Sequence, residues 1–283
     1  MAGHFVEIFT NSYGEYGLEA AIKHAPTIGI RHLEVALKPH GGHLVVPAEV
    51  TLTDESTPEQ VRQGLAGLRA AGLSASSCNA GADVSTAEGR RVVKARIDIA
   101  AILGTRWIVG SLGHAEDKRT LYEGILDVAD YAKSKGMPLC LETHPPLVTN
   151  ADEGLATLRD LQHDNVFINW DTGNIYYYNQ GIDGEAELRK IAPYVRHVHL
   201  KDSRKGYREW YFPALGDGTI DLAKVHSILA EVGFYGPYSI EIEGIAGEGK
   251  LTLEQRQENL RRSVEHLRSI GFEDVDDQKT TKK

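Results

Sequence analysis

Cysteine is nearly absent: among 283 residues only Cys78 and Cys140 carry a thiol. Each lies in an apolar, strand-like run, which argues against a disulfide framework and against a cysteine metal centre, and points to a reducing compartment. A surplus of positive charge is lacking too. With 31 Lys and Arg against 40 Asp and Glu, the formal net charge is -9, the opposite of the basic footprint that phosphate-rich partners require. Nucleic acid is therefore not the expected partner, and a small molecule fits better. No apolar run approaches the roughly 18 residues of a membrane span. The N-terminus enters the strand-like run HFVEIF without a basic stretch and a long apolar segment, so the expectation is a cytoplasmic protein with no membrane partner.

What is present is ordinary globular composition, 41% hydrophobic and 25% charged, enough for one large core. Strand-like apolar runs recur along the whole chain, at 4–9, 32–37, 73–79, 106–111, 138–144, 166–171, 195–201 and 237–244. Between them lie segments with helical spacing, such as 57–72 and 119–136. Several of these stop at a glycine or proline just before the next strand, as in RAAGL, SKGMP and EVGFYGP. Eight alternating strand and helix units predict an α/β fold, a single-domain (β/α)8 TIM barrel, over residues 1–271. An open doubly wound sheet would have fewer strands and a glycine-rich GxGxxG turn after the first, which this chain lacks. The stretch from Phe272 to the end is charged and without apolar period, so 272–283 is expected to be a flexible tail. Two connections, 38–56 and 202–219, are longer than structure needs. In a barrel both would emerge on the active face.

Alternate side chains of a barrel strand point to the helix layer and to the interior, so each strand can be read as two faces. The fifth strand sets Leu139 and Leu141 against Cys140, Glu142 and His144. The sixth sets Val166, Ile168 and Trp170 against Phe167, Asn169 and Asp171. The seventh sets Val198 and Leu200 against His197, His199 and Lys201, and the eighth sets Ile240 and Ile242 against Ser239, Glu241 and Glu243. Carboxylates gathered inside a barrel repel one another and are poorly solvated unless a cation neutralises them. Glu142, Asp171, His199 and Glu241 would supply three carboxylates and one imidazole to one divalent ion. Hard oxygen donors with a single nitrogen favour Mn2+ or Mg2+, with Co2+ and Zn2+ as further candidates. His197, one pleat deeper than His199, reads as a supporting or hydrogen-bonded core residue. Glu241 is preferred to Glu243, which lies at the strand's edge beside Gly244.

The stretches LETH, WDTGN, HVHLKDS, FPALGDGTID and GPYSIEIEG, in this order, resemble the xylose isomerase-like barrel superfamily, in particular its sugar phosphate isomerase/epimerase group. The resemblance covers nearly the whole chain and is strongest over 138–244. It implies that Glu142, Asp171, His199 and Glu241 bind one divalent metal. The group contains ketose epimerases, aldose–ketose isomerases, inosose and dehydroshikimate dehydratases, and lyases acting on 3-keto-glycosides, so the substrate stays open. Dimers or tetramers are common in it, which makes a homo-oligomer or a subunit partner conceivable.

The chemistry common to the group removes a proton from carbon next to a carbonyl, with the metal stabilising the resulting enediolate. The resemblance to epimerases implies that Glu142 and Glu241 act as the bases. His144, at the strand's mouth, is a second candidate base, suited to β-elimination, or else a supporting residue. His114 could donate to a sugar hydroxyl or simply be a solvated loop residue, Lys201 could polarise the substrate or pair with Glu243, and Glu34 and Asn174 could bind hydroxyls or be structural. Trp210 could lie against a sugar's apolar face, or simply anchor its loop. Arg204, Lys205 and Arg208 are interspersed with acidic residues, so no phosphate cradle is visible and an unphosphorylated sugar or keto-sugar is favoured. An AP-endonuclease-like DNA repair enzyme is the remote alternative; it needs further histidines, and this chain has Asn174 where that branch has one.

Overall fold

The structure is a computed structural model that describes residues 4–37, 51–114 and 117–274. Eight parallel strands close into a barrel: β1 (His4–Phe9), β2 (His32–Ala36), β3 (Ser74–Asn79), β4 (Trp107–Gly110), β5 (Leu139–Glu142), β6 (Val166–Asp171), β7 (Val195–Leu200) and β8 (Gly236–Ile240). Each pairs with its sequence neighbours, and β8 closes the ring on β1 through Val6↔Tyr238 and Ile8↔Ile240. The surrounding helices are α1 (Gly17–His24), α2 (Pro58–Ala70), α3 (Ala87–Leu103), α4 (Lys118–Ser134), α5 (Ala151–Leu161), α6 (Asn174–Tyr178), α7 (Gly184–Ile191), α8 (Leu222–Glu231) and α9 (Leu253–Ser269). The glycine punctuation works as expected: Gly72, Gly136 and Gly233 follow α2, α4 and α8 with φ of 70, 75 and 68°, a left-handed conformation that other residues adopt with strain. Among the described residues, no helix is long and apolar enough to cross a membrane.

The two faces of each strand separate into two cores. Leu139, Leu141, Ile168, Trp170, Val198, Leu200 and Ile240 pack outward under the helices in one continuous cluster. Inside, a small floor of Trp107, Val109 and Cys140, packed with Phe5, Phe167 and Tyr235, plugs the lower barrel. Everything above that floor in the late strands is polar, which is why the interior can hold chemistry there.

Two expectations change at the edges. β8 ends at Ile240, so Glu241 and Glu243 stand just past the strand; Glu241 N–H still reaches Leu200 O at 3.0 Å, which holds it in line with β7. The segment expected to fray from Phe272 is docked at its start: the buried Phe272 ring packs on Tyr238 and His226, and Asp274 accepts from Val6 N–H at 2.9 Å. Residues 275–283 of that expected tail, and 38–50 of the long connection after β2, lie outside the described residues. The remainder of that connection is clamped by a buried pair, Asp54 with Arg96 of α3, at 3.1 Å.

The other long connection, after β7, is built on Asp202. Its buried carboxylate accepts from the backbone N–H groups of Ser203, Gly216, Gly218 and Ile220, so one side chain gathers both ends of the loop. Within it, Tyr211–Phe212 pairs antiparallel with Gly244–Ile245, and Phe212 lies over the ammonium of Lys201 at 5.0 Å.

Candidate active site

β5 to β8 end in one layer, and register sets their inward residues side by side: Asp171 is opposite His199, which is opposite Ser239. Glu142, Asp171, His199 and Glu241 each offer one ligand atom, and these atoms lie within 4.8 Å of one another. Nδ1 of His199 stands 3.2 Å from Glu241 Oε2, 3.6 Å from Glu142 Oε1 and 3.9 Å from Asp171 Oδ2. Asp171 is oriented by the backbone. Its Oδ1 accepts from the N–H groups of Gly173 and Asn174, both at 2.8 Å, which turns Oδ2 into the cluster.

Asp171 Oδ2 and Glu241 Oε2 are buried without a hydrogen bond. Lys201 Nζ lies 3.0 and 2.9 Å from them, close enough to offset charge, but it directs its hydrogen bonds to Asn174 Oδ1 (3.2 Å) and Glu243 Oε2 (2.9 Å). The stem of Lys201 runs beside Gly173, where a Cβ would meet it at 2.8 Å. That accounts for the glycine in WDTGN. Two orphaned buried oxygens facing a third carboxylate and an imidazole nitrogen form a donor set that fits a divalent cation.

Electrostatics agree. Burial pushes the Asp171 carboxyl up to about 7, against the pull of Lys201 and with repulsion from Glu241 and Glu142 adding to it. Below about pH 7 that group therefore carries a proton which an incoming cation must displace. Affinity for Mn2+ is expected to rise as pH increases from 6 to 8, with proton release that is larger at pH 6. Calorimetry in two buffers of different ionisation enthalpy measures both, and an affinity flat over this range would contradict the assignment of Asp171.

Beneath the quartet runs a buried polar column. His199 Nε2 lies 2.9 Å from Glu34 Oε2, which also accepts from Ser239 at 2.6 Å. Asn169 sits between the imidazoles, with Oδ1 2.9 Å from His197 Nδ1 and Nδ2 3.1 Å from His199 Nδ1. His197 Nε2 meets Glu7 at 3.0 Å, and Ser76 and Ser77 donate to the same Glu7 carboxylate. His197 is thus the hydrogen-bonded core histidine of the pair. Glu34 takes the structural one of its two expected roles: it is fully buried and bonded to His199 and Ser239, so it orients the imidazole.

At the mouth the placements differ by residue. Asn174 bridges, its amide 3.4 Å from Glu142 Oε1 and its oxygen bonded to Lys201. Lys201 pairs with Glu243 and is 1% exposed. Trp210 packs edge-on against Tyr177 and Phe212, which fits the loop anchor better than a sugar platform. His114 and His144 both point Nδ1 at the carbonyl oxygen of Pro145, each at 3.2 Å. A carbonyl only accepts, so both rings carry a proton on Nδ1; in His144, where burial favours the neutral ring, Nε2 is then an acceptor. Nε2 of His144 is taken by Tyr178 Oη at 2.6 Å.

Tyr178, Glu7 and the bridging role of Asn169 escaped the sequence reading. Asn169 and Ser239 were on the polar faces already noted, so alternation carried a signal; Tyr178 lies in a five-residue helix and carried none.

Residues 22–270 match the model of the family described as Xylose isomerase-like TIM barrel. Inosose dehydratase of Clostridium perfringens is 33% identical over 144 residues, which cover 45% of this chain and 48% of that relative; the chain spans about half the length of the curated relatives it matches. Among solved structures, a D-psicose 3-epimerase determined with D-fructose superposes with a TM-score of 0.73 at 19% identity, covering 95% of this chain and 99% of that one. A Mycobacterium smegmatis barrel protein in complex with magnesium gives 0.69 at 17%, covering 94% and 97%. At these identities the structures attest the fold. With its closed eight-stranded barrel and a family match that spans most of its length, the chain belongs to the xylose isomerase-like TIM barrel family.

Proposed function

We propose that this protein is a divalent-metal-dependent enzyme that removes a proton next to the carbonyl of an unphosphorylated keto-sugar, and epimerises or isomerises it. The observation that carries the reading is the meeting of Glu142, Asp171, His199 and Glu241, at or just past the ends of four successive strands, with two of their oxygens buried and unbonded. Mn2+ is the expected ion, since three hard oxygens and one nitrogen suit it, with Mg2+, Co2+ and Zn2+ as competitors. Held there, the ion would act as a Lewis acid on the substrate's oxygens.

The protein's own groups do the rest. Burial would raise the Glu142 carboxyl, but His199 overturns this and brings it down to about 2. Glu241 is likewise held low, because Lys201 and His199 outweigh its burial. Both are therefore ionised at neutral pH and able to take a proton. Asn174 and Lys201 fix the carboxylates' positions.

A second reading, β-elimination of water or an alkoxide from a polyol ketone, is favoured by the likeness to inosose dehydratase and by the imidazoles at the mouth. Mass spectrometry of metal-loaded protein with free ketoses, inososes and 3-keto-glycosides separates the two. An isomer of equal mass supports the first; loss of water or a released aglycone supports the second. No conversion in the whole panel would remove both.

A further inference from the structure

Tyr178 belongs to none of the roles above, yet its surroundings are specific. It stands four residues after Asn174 on α6, so both side chains share one face of that helix. Asn174 uses the face to reach Glu142 and Lys201, and Tyr178 uses it to reach His144, with ring centroids 4.7 Å apart and Oη 2.6 Å from Nε2. The phenol is half-buried. Since Nδ1 of His144 must give its hydrogen to Pro145 O, Nε2 has none to give, and the shared proton belongs to the phenol. The hydroxyl hydrogen therefore points at the imidazole and leaves the oxygen's lone pairs as acceptors. An imidazole capped in this way cannot attack a substrate proton directly.

We propose that Tyr178 is a catalytic residue: its oxygen exchanges a proton with the substrate at the mouth while its own proton passes to Nε2 of His144. The step balances. A substrate C–H or O–H bond breaks and its proton bonds to Tyr178 Oη; the former phenolic proton bonds to Nε2, and the electron pair stays on the substrate. His144 becomes imidazolium, keeps Nδ1–H on Pro145 O, and lies two residues beyond the carboxylate of Glu142. In reverse the pair returns a proton, which suits an elimination that must protonate its leaving group. The proposal rests on the reading that this site moves protons next to a carbonyl.

The test uses metal-loaded, full-length protein and its Tyr178→Phe, His144→Gln and double variants. Hydrogen exchange into D-fructose and into a cyclic inosose is followed in D2O by mass, alongside metal content and thermal midpoint. Each single variant is expected to lose about a hundredfold in exchange with metal content unchanged, and the double variant no more than either, because the two act as one unit. If Tyr178→Phe exchanges as fast as wild type or faster, the uncapped imidazole is the base and the relay is wrong. A second readout needs no turnover. Diethyl pyrocarbonate should acylate the exposed His114 readily and the part-buried His144 more slowly, and Tyr178→Phe should speed labelling of His144 about tenfold (about 1.4 kcal/mol of protection lost). Equal labelling of His144 in wild type and Tyr178→Phe overturns the bond and the relay together. Absence of exchange in wild type, with the labelling pattern intact, overturns the proton-abstraction reading and the relay's chemistry with it.

Discussion

Glu241→Gln should lower turnover by about 10²–10⁴-fold and weaken the hold on Mn2+ in the same protein. The substitution keeps the side chain's size, but an amide oxygen is a poorer ligand than a carboxylate oxygen and cannot take a proton. Glu241 Oε2 is the carboxylate oxygen nearest to Nδ1 of His199, at 3.2 Å, and it is buried without a hydrogen bond. Glu243→Gln is the control. Its carboxylate touches Lys201, not the imidazole, and its loss should leave ion affinity within a few fold. The two variants are compared by chelator competition and by hydrogen exchange in D2O. Near-normal turnover and affinity in Glu241→Gln would mean that the ion, if bound, sits elsewhere.

Lys201→Met should have the largest effect on stability, and only when the ion is withheld. The ammonium is 1% exposed and lies within 3.0 Å of Asp171, Glu241 and Glu243. Burial would lower its affinity for a proton, yet those carboxylates raise it well above the usual range, so the group is charged and stabilises them. Removing one partner of a buried ionic cluster destabilises by about 3–5 kcal/mol. In excess chelator, Lys201→Met is therefore expected to unfold at distinctly lower urea than wild type. Added Mn2+ replaces the lost positive charge, and linkage raises stability as RT ln(1 + [ion]/Kd), so the gap should narrow. Equal urea midpoints in chelator would show that the ammonium is not what stabilises the ion-free cluster.

Much of the frame was legible in the residues, and the reason is periodicity. Leu139, Ile168, Val198 and Ile240 alternate with Cys140, Asn169, His199 and Glu241, and a period of two has one reading in a strand closed on itself. That alternation, with register held by short βα connections, places four candidate ligands in one layer without any coordinates. The floor of Trp107 and Cys140 follows from the same rule. Boundaries were less legible: the end of β8 depends on where its ladder with β7 stops, and the docking of Phe272 depends on an apolar surface left open by Tyr238 and His226.

Partnerships across the barrel could not be read in advance. Glu34 looks like a mouth residue on its own strand, yet it meets His199, 165 positions away, because β2 and β7 face each other across the interior. The proton positions on His114 and His144 follow from a single carbonyl, Pro145 O, whose direction no pattern in the residues reports. Tyr178 joins them because the turn after β6 launches a short helix toward β5. Alternation along a strand is local and so is written in the chain; hydrogen-bond direction across the cavity arises only when the strands have closed around it.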